Sequence, residues 1–180
     1  MILRETPLAG AYVLELEQLA DERGHFARTF DAELFIAHGL DGRVAQCNTS
    51  FNAHAGTLRG MHYQAAPHEE EKLVRCTSGA IFDVIVDIRE GSATRHRWLG
   101  IELTARNRRA VFVPKGFAHG FISLTVGSEV LYMISEPHAP AFGRGIRWND
   151  PVLGIEWPLA PTVMSARDAH YPSLDASPAA

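Results

Sequence analysis

The chain has 180 residues, 46% of them hydrophobic, which is enough to bury one core without disulfides or metals. Its 17 basic and 21 acidic residues give a formal charge of −4, which argues against a surface for nucleic acid or anionic membranes. Two cysteines favour free thiols in a reducing compartment, and the sequence contains neither a signal peptide nor an apolar run of membrane-spanning length. We therefore expect a cytoplasmic protein without a membrane partner.

Gly and Pro divide the chain into short segments in which β-branched and aromatic residues alternate with polar ones, and this pattern predicts an all-β fold. One short helix is predicted from Asp31, which can cap its N-terminus, to His38, because Gly39 suits the C-terminal stop. We expect a single domain over residues 1–180 with a loose tail at 173–180. The clearest strands are predicted at residues 81–89, 98–103, 110–113, 120–124 and 129–134.

The strand predicted at residues 81–89 has two different faces. Alternation places Val84 and Val86 on an apolar face, whereas Asp83 and Asp87 lie on the other, partly polar face. A strand of this kind is suited to form the wall of a wet cavity.

Two glycine-rich clusters carry the histidines of greatest interest. His62 follows Gly60 in the segment 56–64, which we interpret as glycine-punctuated turns, and His119 precedes Gly120 in the segment 113–121. An imidazole among apolar residues and glycines needs a hydrogen-bond partner, so a satisfied core histidine is the alternative to a catalytic one.

A metal site is not expected around His62. Such a site needs three or four ligands that converge from neighbouring strands, and the position two residues after His62 is Gln64. The nearby carboxylates all fall in the run 69–71, which we interpret as a solvated loop.

Proton transfer requires a base, a group that orients it, a cation and an acid. His62 suits the base and Lys72 the cation, while strand alternation turns Tyr132 to the same face as its apolar neighbours at 130 and 134. Asp168 offers a carboxylate that can hold an imidazole. Each also has an ordinary explanation, as an exposed lysine paired with glutamate, a packed tyrosine or a turn aspartate.

Seven segments, in order along almost the whole chain, together resemble the dTDP-4-dehydrorhamnose 3,5-epimerase family. They are residues 21–24 (DERG), 46–48 (QCN), 58–64 (LRGMHYQ), 72–75 (KLVR), 82–84 (FDV), 114–121 (PKGFAHGF) and 144–151 (RGIRWNDP). An in-order match of this extent is far more specific than any single motif.

The resemblance implies a cupin jelly roll, or double-stranded β-helix, with a few short helices. It also implies a homodimer with exchanged N-terminal strands and an isomerase that epimerises C3 and C5 of an NDP-4-keto-6-deoxyhexose without metal or organic cofactor. By position, His62 matches the general base, Asp168 the carboxylate that orients it, Tyr132 the acid and Lys72 a cation near the substrate. The expected substrate-binding residues are Arg23, Arg28, Gln46, Asn48, Arg59, His119, His138 and Arg167.

Three positions depart from the family pattern, all on the nucleotide side. His138 follows Pro137 where a tyrosine is frequent nearby, and it can still stack on a base. Gly143 and Arg28 each stand where a glutamate is common. The nucleotide therefore stays open among dTDP, CDP and GDP. A mono-epimerase acting at C3 or C5, a metal-dependent cupin oxygenase and a non-catalytic nucleotide-sugar binding module are the alternatives.

Overall fold

A computed structural model describes residues 1–174 as short strands joined by turns, with two short helices and one 3₁₀ turn. The strands are β1 (Ile2–Glu5), β2 (Tyr12–Glu15), β3 (Leu19–Asp21), β4 (Gly24–Phe26), β5 (Gln46–Asn52), β6 (Thr57–Gln64), β7 (Lys72–Ser78), β8 (Ala80–Asp87), β9 (Trp98–Thr104), β10 (Ala110–Val113), β11 (Phe117–Ser123), β12 (Ser128–Ile134), β13 (Gly143–Gly145) and β14 (Val163–Met164). The helices are α1 (Ala32–Ala37) and α2 (Ala166–Ala169), and the 3₁₀ turn is Pro140–Phe142.

The strands form two main sheets and one separate hairpin. The first sheet has the order β1-β2-β10-β7-β12-β5, and the second has the order β13-β6-β11-β8-β9, with β14 parallel to β6. The remaining pairings are antiparallel, and many join strands that are distant in sequence, as in a jelly roll. The predicted all-β jelly roll with a few short helices is therefore confirmed. The pair β3-β4 forms its own two-stranded hairpin.

The main core fills the space between the two sheets. Val74 and Cys76 of β7 meet Ile85 of β8 and Phe121 of β11, and all four are almost completely buried. Fully burying a side chain of this size contributes about 1.5–3 kcal/mol. Tyr132 packs against the same cluster and also borders an open cavity, so the core continues directly into the candidate site.

Strand β8 is buried on both faces. Val84 and Val86 pack outward against a second cluster that includes Ile146, while Ile85 points into the main core. The predicted polar face is also buried, because the Asp83 side chain is enclosed between the sheets. The strand ends at Asp87, two residues before the predicted end at 89.

Helix α1 lies where the sequence predicts it. The Asp31 carboxylate accepts hydrogen bonds from the backbone N–H groups at 33 and 34, and Gly39 after the helix has a φ of +73°. Phe35 is buried beneath the helix against Phe30 and Phe112, with ring centroids 4.9 and 5.6 Å away. The helix thus covers part of the outer face of the first sheet.

The longest helix within residues 1–174 has six residues, and none of the described helices has the length and apolar character to cross a membrane. The predicted loose tail lies mostly outside the described residues. At its beginning, the Leu174 N–H donates a hydrogen bond of 2.7 Å to Asp150.

Candidate active site

A cavity of about 630 Å³ opens between the two sheets. Its walls come from β5, β7 and β12 of the first sheet and from β6, β11 and β13 of the second, with β14 and α2 closing one side. All four residues predicted for proton transfer line it: His62, Lys72, Tyr132 and Asp168.

His62 and Asp168 form a hydrogen-bonded pair. Strand β6 carries His62, and α2 presents Asp168 after Ser165 caps the helix by accepting the Asp168 N–H. His62 Nε2 lies 2.7 Å from Asp168 Oδ1, and the Gly60 N–H donates to Oδ2 at 3.2 Å. The Asp168 side chain is 6% exposed, whereas that of His62 is 41% exposed. The carboxylate is therefore fixed in the wall while the imidazole faces the cavity.

The environment of Asp168 favours its charged form. Burial alone would raise the pKa of the Asp168 carboxyl, but the hydrogen bond and charge of His62, with the Gly60 N–H and Ser165, hold that pKa below its usual value. A carboxylate that stays ionised can orient the imidazole and stabilise it when protonated.

Tyr132 enters the cavity from the opposite sheet. Its hydroxyl lies 3.2 Å from Ser50 Oγ, and its ring meets the His119 ring edge-on with centroids 6.2 Å apart. Burial raises the pKa of Tyr132 far above its ordinary value, although the Ser50 hydrogen bond acts slightly in the other direction. The phenol is therefore protonated at neutral pH and is available as a proton donor.

A second histidine–aspartate pair lies beside the first. His119 Nε2 is 2.8 Å from Asp83 Oδ2, and both side chains are buried. Strands β6 and β11 pair His62 directly with His119, so the two imidazoles belong to adjacent positions of one sheet. Among the described residues, Asp83 Oδ1 has no hydrogen-bond partner.

Lys72 lies in the cavity wall and is paired with a carboxylate. Its Nζ is 2.8 Å from Glu70 Oε1, and the two side chains are only 10% and 11% exposed. The prediction of a solvated loop at 69–71 is thus wrong except at Glu69, because Glu71 also turns inward and accepts the Asp41 N–H at 3.1 Å. Burial raises the pKa of Glu71.

Within residues 1–174, no group of three or more His, Cys, Asp or Glu side chains is arranged to hold a metal ion. Gln64, where a second ligand on β6 would stand, uses its side-chain amide for hydrogen bonds to backbone groups. His62 and His119 are instead each held by an aspartate, which is an arrangement for proton transfer.

Comparison with known proteins matches residues 5–176 to the family described as dTDP-4-dehydrorhamnose 3,5-epimerase. A protein of that name from Methanothermobacter thermautotrophicus is 41% identical over 97% of this chain and 95% of its own length. Another from Sinorhizobium fredii is 39% identical, over 97% of this chain and 90% of its own. The chain belongs to the dTDP-4-dehydrorhamnose 3,5-epimerase family.

Solved structures agree with this membership of the epimerase family. The dTDP-4-dehydrorhamnose 3,5-epimerase of Elizabethkingia anophelis superposes with a TM-score of 0.93 at 35% identity, covering 97% of both chains. The dTDP-6-deoxy-D-glucose-3,5-epimerase of Legionella pneumophila, in complex with dTDP-4-keto-L-rhamnose, gives 0.91 at 36% identity over 97% of this chain and 93% of that one. A 3′-monoepimerase from Streptomyces bikiniensis, in complex with dTDP-quinovose, gives 0.87 at 36% identity over 94% and 86%. The jelly roll is therefore of the cupin type of these epimerases.

Five of the eight residues that the epimerase pattern predicts for substrate binding line the cavity: Asn48, Arg59, His119, His138 and Arg167. The Arg59 guanidinium donates to Asn52 Oδ1 at 2.9 Å, which orients it toward the space between the sheets. Arg167 stacks over the Tyr171 ring at 5.5 Å, and Tyr171 in turn meets the His62 ring edge-on.

The other three predicted binding residues do not line the cavity of the described chain. Arg23 lies on the exposed β3-β4 hairpin and pairs with Asp21, and Arg28 pairs with the Asp31 helix cap. Gln46 lies at the start of β5, and its side-chain oxygen accepts the backbone N–H of His138.

Three residues that line the cavity, Ser50, Glu70 and Arg144, and the buried Asp83 that pairs with His119 are absent from the predicted site residues. Glu70 pairs with the cation, Asp83 holds His119, and Ser50 contacts the Tyr132 hydroxyl. Arg144, an exposed guanidinium, also lines the cavity. Strand alternation could have found Asp83 and Ser50, because each follows the inward face of its strand, but no local signal marks the turn that brings in Glu70.

The unusual Gly143 lies directly beside Arg167. A Cβ atom at this position would sit 3.3 Å from the Arg167 Nη2 atom, so any larger residue would crowd the guanidinium. His138 is exposed at the same end of the cavity. Gly143 and His138, two of the three positions that depart from the epimerase pattern, thus lie together at the open end of the cavity.

Proposed function

We propose that the chain epimerises C3 and C5 of a nucleoside diphosphate 4-keto-6-deoxyhexose, converting dTDP-4-dehydro-6-deoxyglucose to dTDP-4-dehydrorhamnose. One observation carries the proposal: the His62–Asp168 pair and the protonated Tyr132 enter one cavity from opposite sheets, with Lys72 in its wall. The names of the similar proteins, and the nucleotide sugar bound to the Legionella pneumophila structure, support this substrate class.

The first step is removal of a carbon-bound proton. The 4-keto group acidifies the hydrogens on C3 and C5, and the electron pair left by deprotonation moves onto the carbonyl oxygen to give an enolate. His62 accepts the proton at Nδ1, since Nε2 is held by Asp168. The Lys72 ammonium stabilises the negative oxygen, and burial strengthens that interaction.

The second step returns a proton to the opposite face of the same carbon. Tyr132 stands on β12 of the first sheet, whereas His62 stands on β6 of the second, so acid and base approach the sugar from different walls. The Tyr132 phenol donates its proton as the enolate collapses to the ketone, and solvent exchange restores both groups. Each inversion is a balanced pair of proton transfers, so the chemistry requires no oxidant, reductant or organic cofactor.

The diphosphate is proposed to bind at the guanidinium groups of the cavity. Arg144 and Arg167 are exposed at its open end, and Arg59 lies farther along the wall. Guanidinium groups bind phosphate oxygens with charge-assisted, often bidentate hydrogen bonds. Such contacts serve any nucleoside diphosphate, so they do not select the base.

Similarity to the 3′-monoepimerase favours a second candidate, inversion at C3 alone. Incubation with dTDP-4-keto-6-deoxyglucose in heavy water, followed by NMR, separates the two reactions. We expect deuterium at both C3 and C5, and we expect His62→Ala to incorporate it at neither carbon. Deuterium at C3 alone would favour the mono-epimerase, and no exchange with dTDP, CDP or GDP sugars would support a binding module.

We also propose that the chain works as a homodimer that exchanges the β3-β4 hairpin. The exchange concerns this hairpin because β1 and β2 already pair within the first sheet of their own chain. Leu19 and Phe26 are cross-strand neighbours on the hairpin, and each is 71% exposed. Exposed apolar pairs of this kind favour a protein contact. The solution mass, expected at twice that of one chain, tests the dimer.

We propose the cytoplasm as the compartment. Cys47 and Cys76 are free thiols, and Cys47 is exposed, which suits a reducing environment. Recovery of the protein in the membrane or secreted fraction of its native cells would contradict this assignment.

A further inference from the structure

The open end of the cavity is bordered by the segment that follows β12, residues 137–139, which we call the rim segment. It leaves the first sheet after β12 and leads through the 3₁₀ turn to β13 in the second sheet. Its central residue, His138, is exposed and lines the cavity. Among the other residues that line the cavity, Lys72, His119 and Asp168 are buried. If the sugar binds among these buried groups, the exposed His138 offers a contact for the nucleotide end of the substrate.

Two glutamine side chains hold the backbone of the rim segment. The His138 N–H donates to Gln46 Oε1 at 2.6 Å, and the Ala139 N–H donates to Gln64 Oε1 at 2.7 Å. The Gln64 Nε2 group donates to the Pro137 carbonyl at 3.3 Å and to the His68 carbonyl at 2.9 Å. All three residues of the segment are thus bound by side-chain amides.

These contacts brace the segment from both walls. Gln46 belongs to β5 of the first sheet and Gln64 to β6 of the second. Gln64 is 4% exposed, and its amide oxygen and nitrogen are both used in these bonds. A buried amide is costly to leave unpaired, so its hydrogen bonds restrict the segment to one position. Strand β6 also carries His62, two residues before Gln64. This pair of glutamine contacts, which we call the clamp, therefore connects the rim segment to the strand that carries the proposed base.

We propose that Gln64 and Gln46 are positioning residues that fix the rim segment and so place His138 against the nucleotide end of the substrate. The inference rests on the proposed function for the identity of the substrate. It adds a role through the protein backbone to the substrate contact that the epimerase pattern predicts for Gln46. It also gives Gln64 a purpose other than metal binding.

The test separates binding from chemistry. We expect Gln64→Leu to raise KM for dTDP-4-keto-6-deoxyglucose roughly tenfold, the effect of losing one to two net hydrogen bonds that order the segment. The kcat should stay within about twofold, because His62, Tyr132 and Lys72 keep their own contacts. Calorimetry with dTDP alone should show a matching rise in Kd.

Gln46→Leu is the matched variant, since it removes the brace from the opposite sheet, away from His62. We expect a rise in KM of the same kind, and the double variant should show less than the product of the two effects because both residues hold one segment. Gln46→Glu keeps an acceptor for the His138 N–H, so its KM should lie below that of Gln46→Leu. Gln64→Glu lacks the donors to the Pro137 and His68 carbonyls and should bind no better than Gln64→Leu.

The outcomes distinguish this inference from the proposed function. A wild-type protein without deuterium exchange at C3 or C5 would contradict the proposed function, while dTDP binding by the glutamine variants would still report on the clamp. If the wild type is active, two outcomes would overturn the proposed role of the glutamines. One is a Gln64→Leu variant that loses kcat at unchanged KM. The other is a double variant whose rise in KM equals the product of the two single effects. If Gln64→Leu unfolds at a far lower temperature than the wild type, the inference is tested by Gln46→Leu and Gln46→Glu instead. Equal KM values for these two variants would contradict it.

Discussion

At the scale of single residues, the site contains two imidazoles that differ in access. His62 and His119 are direct cross-strand partners, and each is held by an aspartate. The His62 side chain is 41% exposed to the cavity, whereas that of His119 is 5% exposed. A base must reach the carbon-bound hydrogen and be replenished by solvent, so His62 suits that role and His119 suits a fixed contact beside Tyr132.

Replacing the acid should separate proton removal from inversion. Tyr132→Phe keeps the ring that packs against the core but removes the only proton that the phenol can donate. We expect the rate of inversion to fall roughly 10²-fold, a typical contribution of a positioned general acid. Deuterium exchange should continue, because His62 and Lys72 still form the enolate. NMR of deuterium content and product configuration measures both.

Ser50→Ala is the control for Tyr132→Phe, since it removes the hydrogen-bond partner of the phenol but leaves its proton in place. This variant should invert the sugar at close to the wild-type rate. Loss of exchange in Tyr132→Phe would assign Tyr132 to enolate formation and would contradict its role as the acid for the opposite face.

The sequence predicts some of these residues and misses others for physical reasons. Alternation along β12 places Tyr132 inward, and alternation is a local property of any strand. The pairing of Lys72 with a glutamate is among the predicted alternatives, but its burial is not, because three successive glutamates resemble a solvated loop. Only the chain path after β6 turns the middle one, Glu70, inward. Asp168 meets His62 across 106 positions, a distance that only the family resemblance could bridge.

At the scale of elements, Gly60 and Gly120 serve strand contact, whereas Gly56 and Gly116 lie in turns as predicted. The prediction of glycine-punctuated turns is wrong for Gly60, which lies inside β6, whereas Gly120 lies inside β11, where a strand is predicted from residue 120. A Cβ atom on Gly60 would lie 2.5 Å from the Gly120 Cα atom, and Gly60 has a φ of +143°. The strands approach closely here, beside the register shift after His119. This approach brings the Gly60 N–H to the Asp168 carboxylate, and alternation cannot reveal it.

The end of β8 depends on one buried carboxylate. The Asp87 side chain is fully buried, and it accepts hydrogen bonds from Arg89 at 2.7 Å and from the Ser92 and Thr94 hydroxyls at 2.6 Å. Burial alone would raise the pKa of Asp87, but these partners hold it well below the usual range. A carboxyl with a lowered folded pKa stabilises the protein above its unfolded pKa, and the benefit is lost as the pH falls toward the folded value.

Asp87→Asn should therefore destabilise the protein in a pH-dependent way. At pH 7 we expect the free energy of unfolding to fall by about 2–3 kcal/mol, since charged hydrogen bonds to Arg89, Ser92 and Thr94 are weakened. The difference from wild type should shrink as the pH falls below about 4, where the unfolded wild-type carboxyl becomes protonated. Urea unfolding at several pH values measures it. Glu22→Gln, an exposed residue of the hairpin turn, is the control. A difference constant with pH would contradict the account.

At the scale of the whole molecule, the strand pattern of the sequence predicts the architecture. It does not predict whether one chain supplies every residue of the substrate site. Short alternating strands predict a sandwich, and the two sheets with their shared core confirm it. Yet Arg23 and Arg28, which the family pattern assigns to the substrate, lie on or after an exposed hairpin and pair with nearby aspartates. In the proposed dimer, these two arginines would instead complete the cavity of the neighbouring subunit.

Mixing two inactive variants tests whether each cavity is built from two chains. His62→Ala removes the base, and Arg23→Ala removes a hairpin group from the same chain. If the hairpin is exchanged, a mixed dimer contains one cavity with both defects and one cavity with neither. Co-expression of differently tagged chains should then restore activity, with about a quarter of all sites intact, since half of randomly paired dimers are mixed. Each variant alone should show little activity in the deuterium-exchange assay.

The mixing experiment is informative because a cavity built from a single chain predicts no recovery of activity. In a cavity built from a single chain, every site carries either the missing base or the missing guanidinium, and no pairing restores both. Leu19→Asp with Phe26→Asp should prevent the recovery by placing charge on the apolar pair of the hairpin. Val126→Asp places one such charge on a residue of similar exposure outside the hairpin, 73%, and should leave the recovery intact. Absence of recovery in tagged mixed dimers of proven composition would place Arg23 outside the partner's cavity and would contradict the exchange.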